Sequence, residues 1–180
     1  MRFQHTAKVS HPPTVVMELL AEHMQEIVPF LVNVDRIEVQ ERTDLRDGRA
    51  RVVSHWYATA QSIPAPIRPF LSKELMGWID DAVWTPAAHK VDWKMSTSFS
   101  EFFDAGGTNY YEPADGGAAT DITISGNLTV YPERLPGMPT FLAERLKPQV
   151  ERFVIELIAP NLTDVAMGLQ EYLDRKAATR

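Results

Sequence analysis

Residues Thr120–Tyr131 read TDITISGNLTVY. Ile122, Ile124, Leu128 and Val130 fall on one side of an extended chain, the period of two that marks a strand with one buried face. Gly126 sits at the centre of the run, where glycine usually marks a bend or bulge, so the strand is expected to help its sheet curl. The segment after it has the other period. Val150, Phe153, Val154, Leu157, Ile158, Leu162, Val165, Leu169, Tyr172 and Leu173 form one long apolar stripe at helical spacing, with Glu151, Arg152, Glu156, Asp164, Glu171 and Asp174 opposite. Pro148 is expected to mark the start of this helix after a helical lead-in over Pro139–Leu146, and Pro160, off the stripe, to kink it. A one-faced strand and a one-striped helix each need a cover, and each can serve as the other's.

Working back towards the N-terminus, more strands appear. Phe3, His5, Ala7 and Val9 alternate with polar residues until His11-Pro12-Pro13 breaks the pattern. Thr14 reads as the N-cap of an amphipathic helix to about Val28, carrying Val16, Leu19, Leu20, His23 and Ile27 on one stripe. Val34–Thr43 and Arg49–Ala60 read as strands joined at Asp47-Gly48, a strong hairpin signal. A short amphipathic helix is expected over Pro66–Met76, between the third and fourth strands. Strands resume at Trp78–Trp84, His89–Thr97, Phe99–Phe103 and Thr108–Glu112, the last two separated at Gly106-Gly107. The order predicts a single α+β domain over residues 1–180, a curved antiparallel sheet gripping a long C-terminal helix.

Composition narrows the function. A formal net charge of -6 and an acidic pI near 5.4 argue against nucleic-acid binding, which needs a basic surface. With no cysteine, disulfides and thiolate chemistry are excluded. The N-terminus lacks the apolar run of a signal peptide, and no stretch approaches the roughly 18 apolar residues of a membrane span, so a cytoplasmic protein is expected. There is no G-x-S-x-G, phosphate loop, G-x-G-x-x-G or H-E-x-x-H pattern. No cofactor and no metal are expected.

This arrangement resembles the helix-grip superfamily of START and other SRPBCC domains. The resemblance rests on the opening strand ended by His11-Pro12-Pro13, the helix after it, the antiparallel meander and the closing helix. Trp56, Ile63-Pro64, the helix Pro66–Met76, Trp84, Trp93-Lys94 and Ser96-Thr97 look like the order of elements in the PRELI lipid-transfer branch. The resemblance implies a cavity between sheet and closing helix that holds a hydrophobic ligand, a lipid or a polyketide-like ring system. It equally admits a cyclase/dehydratase-type enzyme using the same cavity. A protein-interaction module with a filled core is the third reading, since fold alone does not choose.

The candidate ligand-binding residues are His5, His55, Trp56, Tyr57, Phe70, Leu71, Trp84, Trp93, Tyr110, Phe153 and Leu157. His5, His55, Tyr57 and Tyr110 would orient a polar end, and the aromatic and aliphatic side chains would line the wall. His55 and Tyr57 are the acid/base candidates of the enzyme reading, although neighbours in a strand face opposite ways and share a cavity only across a bulge. Each histidine could instead be a core or rim residue satisfied by a hydrogen bond, and the four tryptophans could simply fill a core. His23 beside Glu22 and Glu26 has metal-ligand chemistry, but Glu22 projects away from it on a helix. Asp80 and Asp81 point to opposite sides of a strand and are expected to face solvent or bind arginines. Pro66–Met76 reads as a cavity lid, as a patch that touches a membrane transiently, or as a static cap that only shields a sheet end.

Overall fold

In the computed structural model the chain forms strands β1 (Arg2–Val9), β2 (Val34–Asp44), β3 (Ala50–Ala58), β4 (Gly77–Thr85), β5 (Lys90–Ser96), β6 (Phe103–Ala114) and β7 (Ala119–Val130). Its helices are α1 (Pro13–Glu22), α2 (Thr140–Ile158) and α3 (Pro160–Ala178), with a 3-10 helix over Met24–Phe30. The structure describes residues 1–31, 34–59, 77–97, 103–135, 137–158 and 160–178, with side chains described outside 153–164. The short helix expected over Pro66–Met76, with Phe70 and Leu71, lies outside the described residues, as do the side chains of Phe153 and Leu157.

The strands make one open sheet of order β1-β7-β6-β5-β4-β3-β2, every neighbouring pair antiparallel. One face is packed by helices. α1 lies on β6 and β7, α2 on β7, and α3 on β1 and the 3-10 helix. The fully buried side chains Val9, Val16, Ile27, Leu128, Val130, Val150 and Leu169 come from both layers, so the core is the seam between them. This is the α+β architecture that the two hydrophobic periods predict.

The details differ in four places. The first helix begins on Pro13 with Pro12 as its N-cap, and it ends at Glu22, with the tighter 3-10 helix taking over after His23. Pro13 suits the first helical position because its missing N–H would be unpaired there anyway. The C-terminal helix starts eight residues before Pro148, which sits inside α2. Ala143, Leu146 and Val150 are all buried at helical spacing, and that continuous packing outweighs the hydrogen bond lost at the proline. The chain is helical on both sides of residue 159, which lies outside the described residues, as α2 and α3.

The fourth difference shapes the interior. Gly106-Gly107 does not break a strand, because β6 runs straight through it. Gly107 pairs with Trp93 on one side and Gly126 on the other, and Gly126 pairs with Phe3. A Cβ on Gly107 would stand 2.0 Å from the Ser125 carbonyl oxygen. A Cβ on Gly126 would stand 2.9 Å from the Trp93 ring. The two glycines thus clear a path across the sheet, along which the Trp93 indole reaches Phe3 at a ring separation of 6.2 Å.

Candidate functional site

β4 supplies the wall from which the site is built. Trp78, Asp80, Ala82 and Trp84 alternate onto the inner face, and Ile79, Asp81 and Val83 take the outer one. Opposite them on the inner face stand Trp56 and Ser54 of β3 and Trp93 and Met95 of β5. Small Ala82 between the indoles leaves room. A cavity of about 100 Å3 opens there, walled by all four tryptophans and by Asn109, Tyr111, Ile122 and Ile124. Leu20 of α1, Met24 and Ile27 of the 3-10 helix, and Val165 of α3 close it from the other layer. Trp56 and Trp78 stack at 5.7 Å, and Trp84 stacks on Tyr111 at 6.1 Å.

Few polar groups among the described residues enter this apolar space. The Trp93 indole donates to Asn109 Oδ1 at 2.7 Å, which fixes its ring. Tyr111 is buried, and that desolvation raises its phenol above the ordinary value. The indole N–H groups of Trp56 and Trp78 are buried with no acceptor among the described residues.

Asp80 is the outlier. Its Oδ1 is sealed from solvent with no hydrogen-bond partner among the described residues. Burial, and secondarily the charge of Asp81, pushes its carboxyl up from 3.8 to about 7. It also borders a second, smaller cavity of about 20 Å3 shared with Glu22, Val39 and Ser54.

The expectation that both aspartates face solvent or arginines is therefore corrected for Asp80. Asp81 does meet an arginine: on the outer face Arg51 donates from Nε to Oδ1 at 2.8 Å and from a terminal nitrogen to Oδ2 at 2.7 Å. That ion pair holds the Asp81 carboxyl below its ordinary value. Asp80 has the same side chain on the opposite parity, where the strand faces indole and aliphatic carbon.

The structure separates the sequence candidates. Trp56, Trp84 and Trp93 stand on the cavity wall. His55 and Tyr57 stand on the outer face of β3, away from it, because β3 keeps strict alternation through Trp56. The bulges that a shared cavity role would need fall on β2 instead, between Val34 and Arg36 and between Val39 and Glu41. On that outer face the Tyr57 hydroxyl donates to Glu38 at 3.1 Å and lies 2.9 Å from His55 Nδ1, and Arg36 covers the Tyr57 ring at 3.5 Å. His55 Nε2 is buried and unpaired among the described residues, and its desolvation lowers the imidazole pKa.

Tyr110 is on the outer face and 43% exposed. His5 faces inward by register, opposite Ile124, but is exposed on edge strand β1 and does not line the cavity. His23 Nδ1 pairs with Glu26 at 3.1 Å while Glu22 pairs with Arg42 at 2.6 Å, so the two acids do not converge on it. Among the described residues no group of three metal-ligating side chains forms, and no helix is long and apolar enough to cross a membrane.

Sequence reasoning misses Asp80, Asn109 and Tyr111, and it leaves Trp78 out of the ligand-binding set although all four tryptophans reach the wall. The alternation of Trp78, Asp80, Ala82 and Trp84 is the available signal, an acid in step with apolar neighbours.

No family model matches the sequence, and no curated protein matches it significantly. Solved structures do match. The protein TTHA0849 of Thermus thermophilus superposes with a TM-score of 0.67 at 17% identity, over 96% of this chain and 99% of that one. The Zhui aromatase/cyclase of Streptomyces sp. R1128 has a TM-score of 0.67 at 12% identity, over 98% and 95% of the two chains. Norcoclaurine synthase of Thalictrum flavum, in complex with dopamine and hydroxybenzaldehyde, has a TM-score of 0.57 at 12% identity, over 97% and 87%. The chain has the helix-grip fold. In this helix-grip domain the cavity lies where the closing layer of helices meets the sheet, and β4 presents to it one carboxyl and two tryptophans.

Proposed function

We propose that residues 1–180 form a single cytosolic domain that binds a hydrophobic, ring-containing small molecule in the tryptophan-lined cavity. The observation that carries this reading is the cavity wall itself: four indoles and several aliphatic side chains around free space, with few polar groups. Removing apolar ligand surface from water supplies about 25 cal/mol per Å2 before the losses of association. Between a lipid and a ring system, the volume favours the ring. A dry apolar cavity of about 150 Å3 accepts a benzene-sized guest, and this one is of that order. The buried indole N–H groups of Trp56 and Trp78 would take an acceptor oxygen on the ligand. The ligands of the norcoclaurine synthase complex, dopamine and hydroxybenzaldehyde, are single-ring molecules, which supports the scale of the reading.

A catalytic role of the cyclase/dehydratase kind is favoured by one observation, the carboxyl of Asp80 on the cavity wall. Its raised pKa near 7 suits a general acid or base. In that reading Asp80 replaces His55 and Tyr57, whose side chains lie on the other face.

Native mass spectrometry of the purified protein, followed by organic extraction, tests the binding reading. A co-purifying ring compound is the expected result. Ala82→Phe, which places a ring in the gap between Trp78 and Trp84, should abolish retention while near-ultraviolet circular dichroism still reports a packed fold. Retention unchanged in a folded Ala82→Phe variant overturns the assignment of this cavity.

A further inference from the structure

Asp80 poses a problem that a purely apolar ligand leaves unsolved. As a carboxylate it accepts nothing at Oδ1 from the described residues, and as an acid it has nothing there to donate to. Either state leaves a buried polar atom unpaired, which is unfavourable. Among the described residues the cavity lining contains no lysine, arginine or histidine. The cations nearest in the sheet are engaged elsewhere. Arg51 and Lys94 act on Asp81 from the outer face, and Arg42 pairs with Glu22 of α1 at 2.6 Å. Of the described groups that face Asp80 from the elements packed around it, Glu22 and the phenol of Tyr111 titrate, and Ser54 and Met95, its strand partners, do not. None of these supplies a positive charge.

The cavity that Asp80 borders is walled by four indoles, and an indole face is the aromatic surface that attracts a cation best. A negative group without a counter-charge, inside an aromatic enclosure, is complementary to a small organic cation. We propose that the cavity recognises a single-ring ligand bearing a positively charged nitrogen, with the Asp80 carboxylate as its counter-ion and the surrounding tryptophans as its cation–π wall. This inference rests on the cavity-binding reading above and adds the charge of the ligand to it. It makes recognition proton-linked. With its carboxyl titrating near 7, Asp80 is ionised in about a tenth of molecules at pH 6 and about nine-tenths at pH 8, so affinity for a permanent cation rises about tenfold between them.

The test uses two probes of the same shape, N-methylpyridinium, a permanent cation, and toluene, its neutral counterpart, titrated calorimetrically into the intact chain. N-methylpyridinium affinity should rise about tenfold from pH 6 to pH 8 while toluene affinity stays level. Asp80→Asn should remove that rise and weaken N-methylpyridinium at least tenfold at pH 8, with toluene binding retained. If the variant fails to fold, the native protein still decides, because cation binding at pH 6 should release close to one proton, read from the heat in two buffers of different ionisation enthalpy. Toluene binding without N-methylpyridinium binding overturns the inference and leaves the cavity reading standing. N-methylpyridinium binding that releases no proton and ignores pH overturns it as well. Binding of neither probe removes both.

Discussion

Replacing Asp80 with asparagine changes one atom and should rewrite the pH dependence of stability. The carboxyl ionises near 3.8 in its ordinary state and near 7 in the folded chain. An acid raised on folding keeps its proton in the native state while the unfolded state gives it up. Its contribution is therefore fully present below about pH 3.8 and is lost as the pH climbs through 7. Integrated over these values, the native state loses about 2–3 kcal/mol between pH 5 and pH 8 and about 4 kcal/mol in all, to an order of magnitude. An asparagine side chain cannot ionise, so the Asp80→Asn variant lacks this loss. Urea denaturation of both proteins, followed by far-ultraviolet circular dichroism at several pH values, isolates the effect, since every other titrating group cancels in the difference. The variant should gain on the native protein by about 2–3 kcal/mol from pH 5 to pH 8. A difference that does not change with pH would refute the reasoning, because it would mean that Asp80 titrates alike in both states.

Gly107→Ala should destabilise by about 3 kcal/mol or more, since its Cβ meets backbone that cannot turn aside, whereas Gly116→Ala, with open space around it but a φ of 68°, should lose only about 1 kcal/mol; equal urea midpoints would contradict the geometry. Leu169→Ala should cost about 2–5 kcal/mol, because this α3 side chain is fully buried, and a thermal melt unchanged from the native protein would detach α3 from the core. Tyr57→Phe and His55→Gln, on the outer face, should leave the affinity for toluene unchanged within about twofold in a calorimetric titration, as near-neutral changes remote from the cavity.

The architecture is readable because hydrophobic period is a local property. Thr120–Tyr131 and Arg2–Val9 each show their buried face within their own few residues, and β7 and β1 prove to be adjacent strands. Gly106-Gly107 misleads for the opposite reason. A glycine pair looks like punctuation, and only the approach of the Ser125 and Gly126 backbone, distant in sequence, explains why β6 needs a residue without a side chain at Gly107. Pro148 misleads in the same way, since local preference marks it as a helix start and tertiary packing of Leu146 and Val150 overrules it.

The wall of the cavity is partly legible and its polar group is not. Tryptophan is conspicuous, and alternation alone places Trp56 and Trp84 inward. The same alternation places His55 and Tyr57 outward, so their cavity role required a bulge on β3 that the chain puts on β2 instead. Asp80 obeys the alternation too, but an aspartate is ordinarily assigned to solvent, and its burial depends on Leu20, Met24 and Val165 arriving from three other elements.

The order of the sheet also governs how the chain is born. Each of β2 to β6 can pair with a chain neighbour as it emerges, but β1 has its register on β7, Arg2 against Asn127 and Val9 against Thr120. Within this domain β1 is therefore made well before its partner, and closing so large a loop is slow. A nascent chain that stalls before Ala119 carries β1 unpaired and the bare flank of β6 at its growing end, two surfaces open to pairing between chains on one polysome.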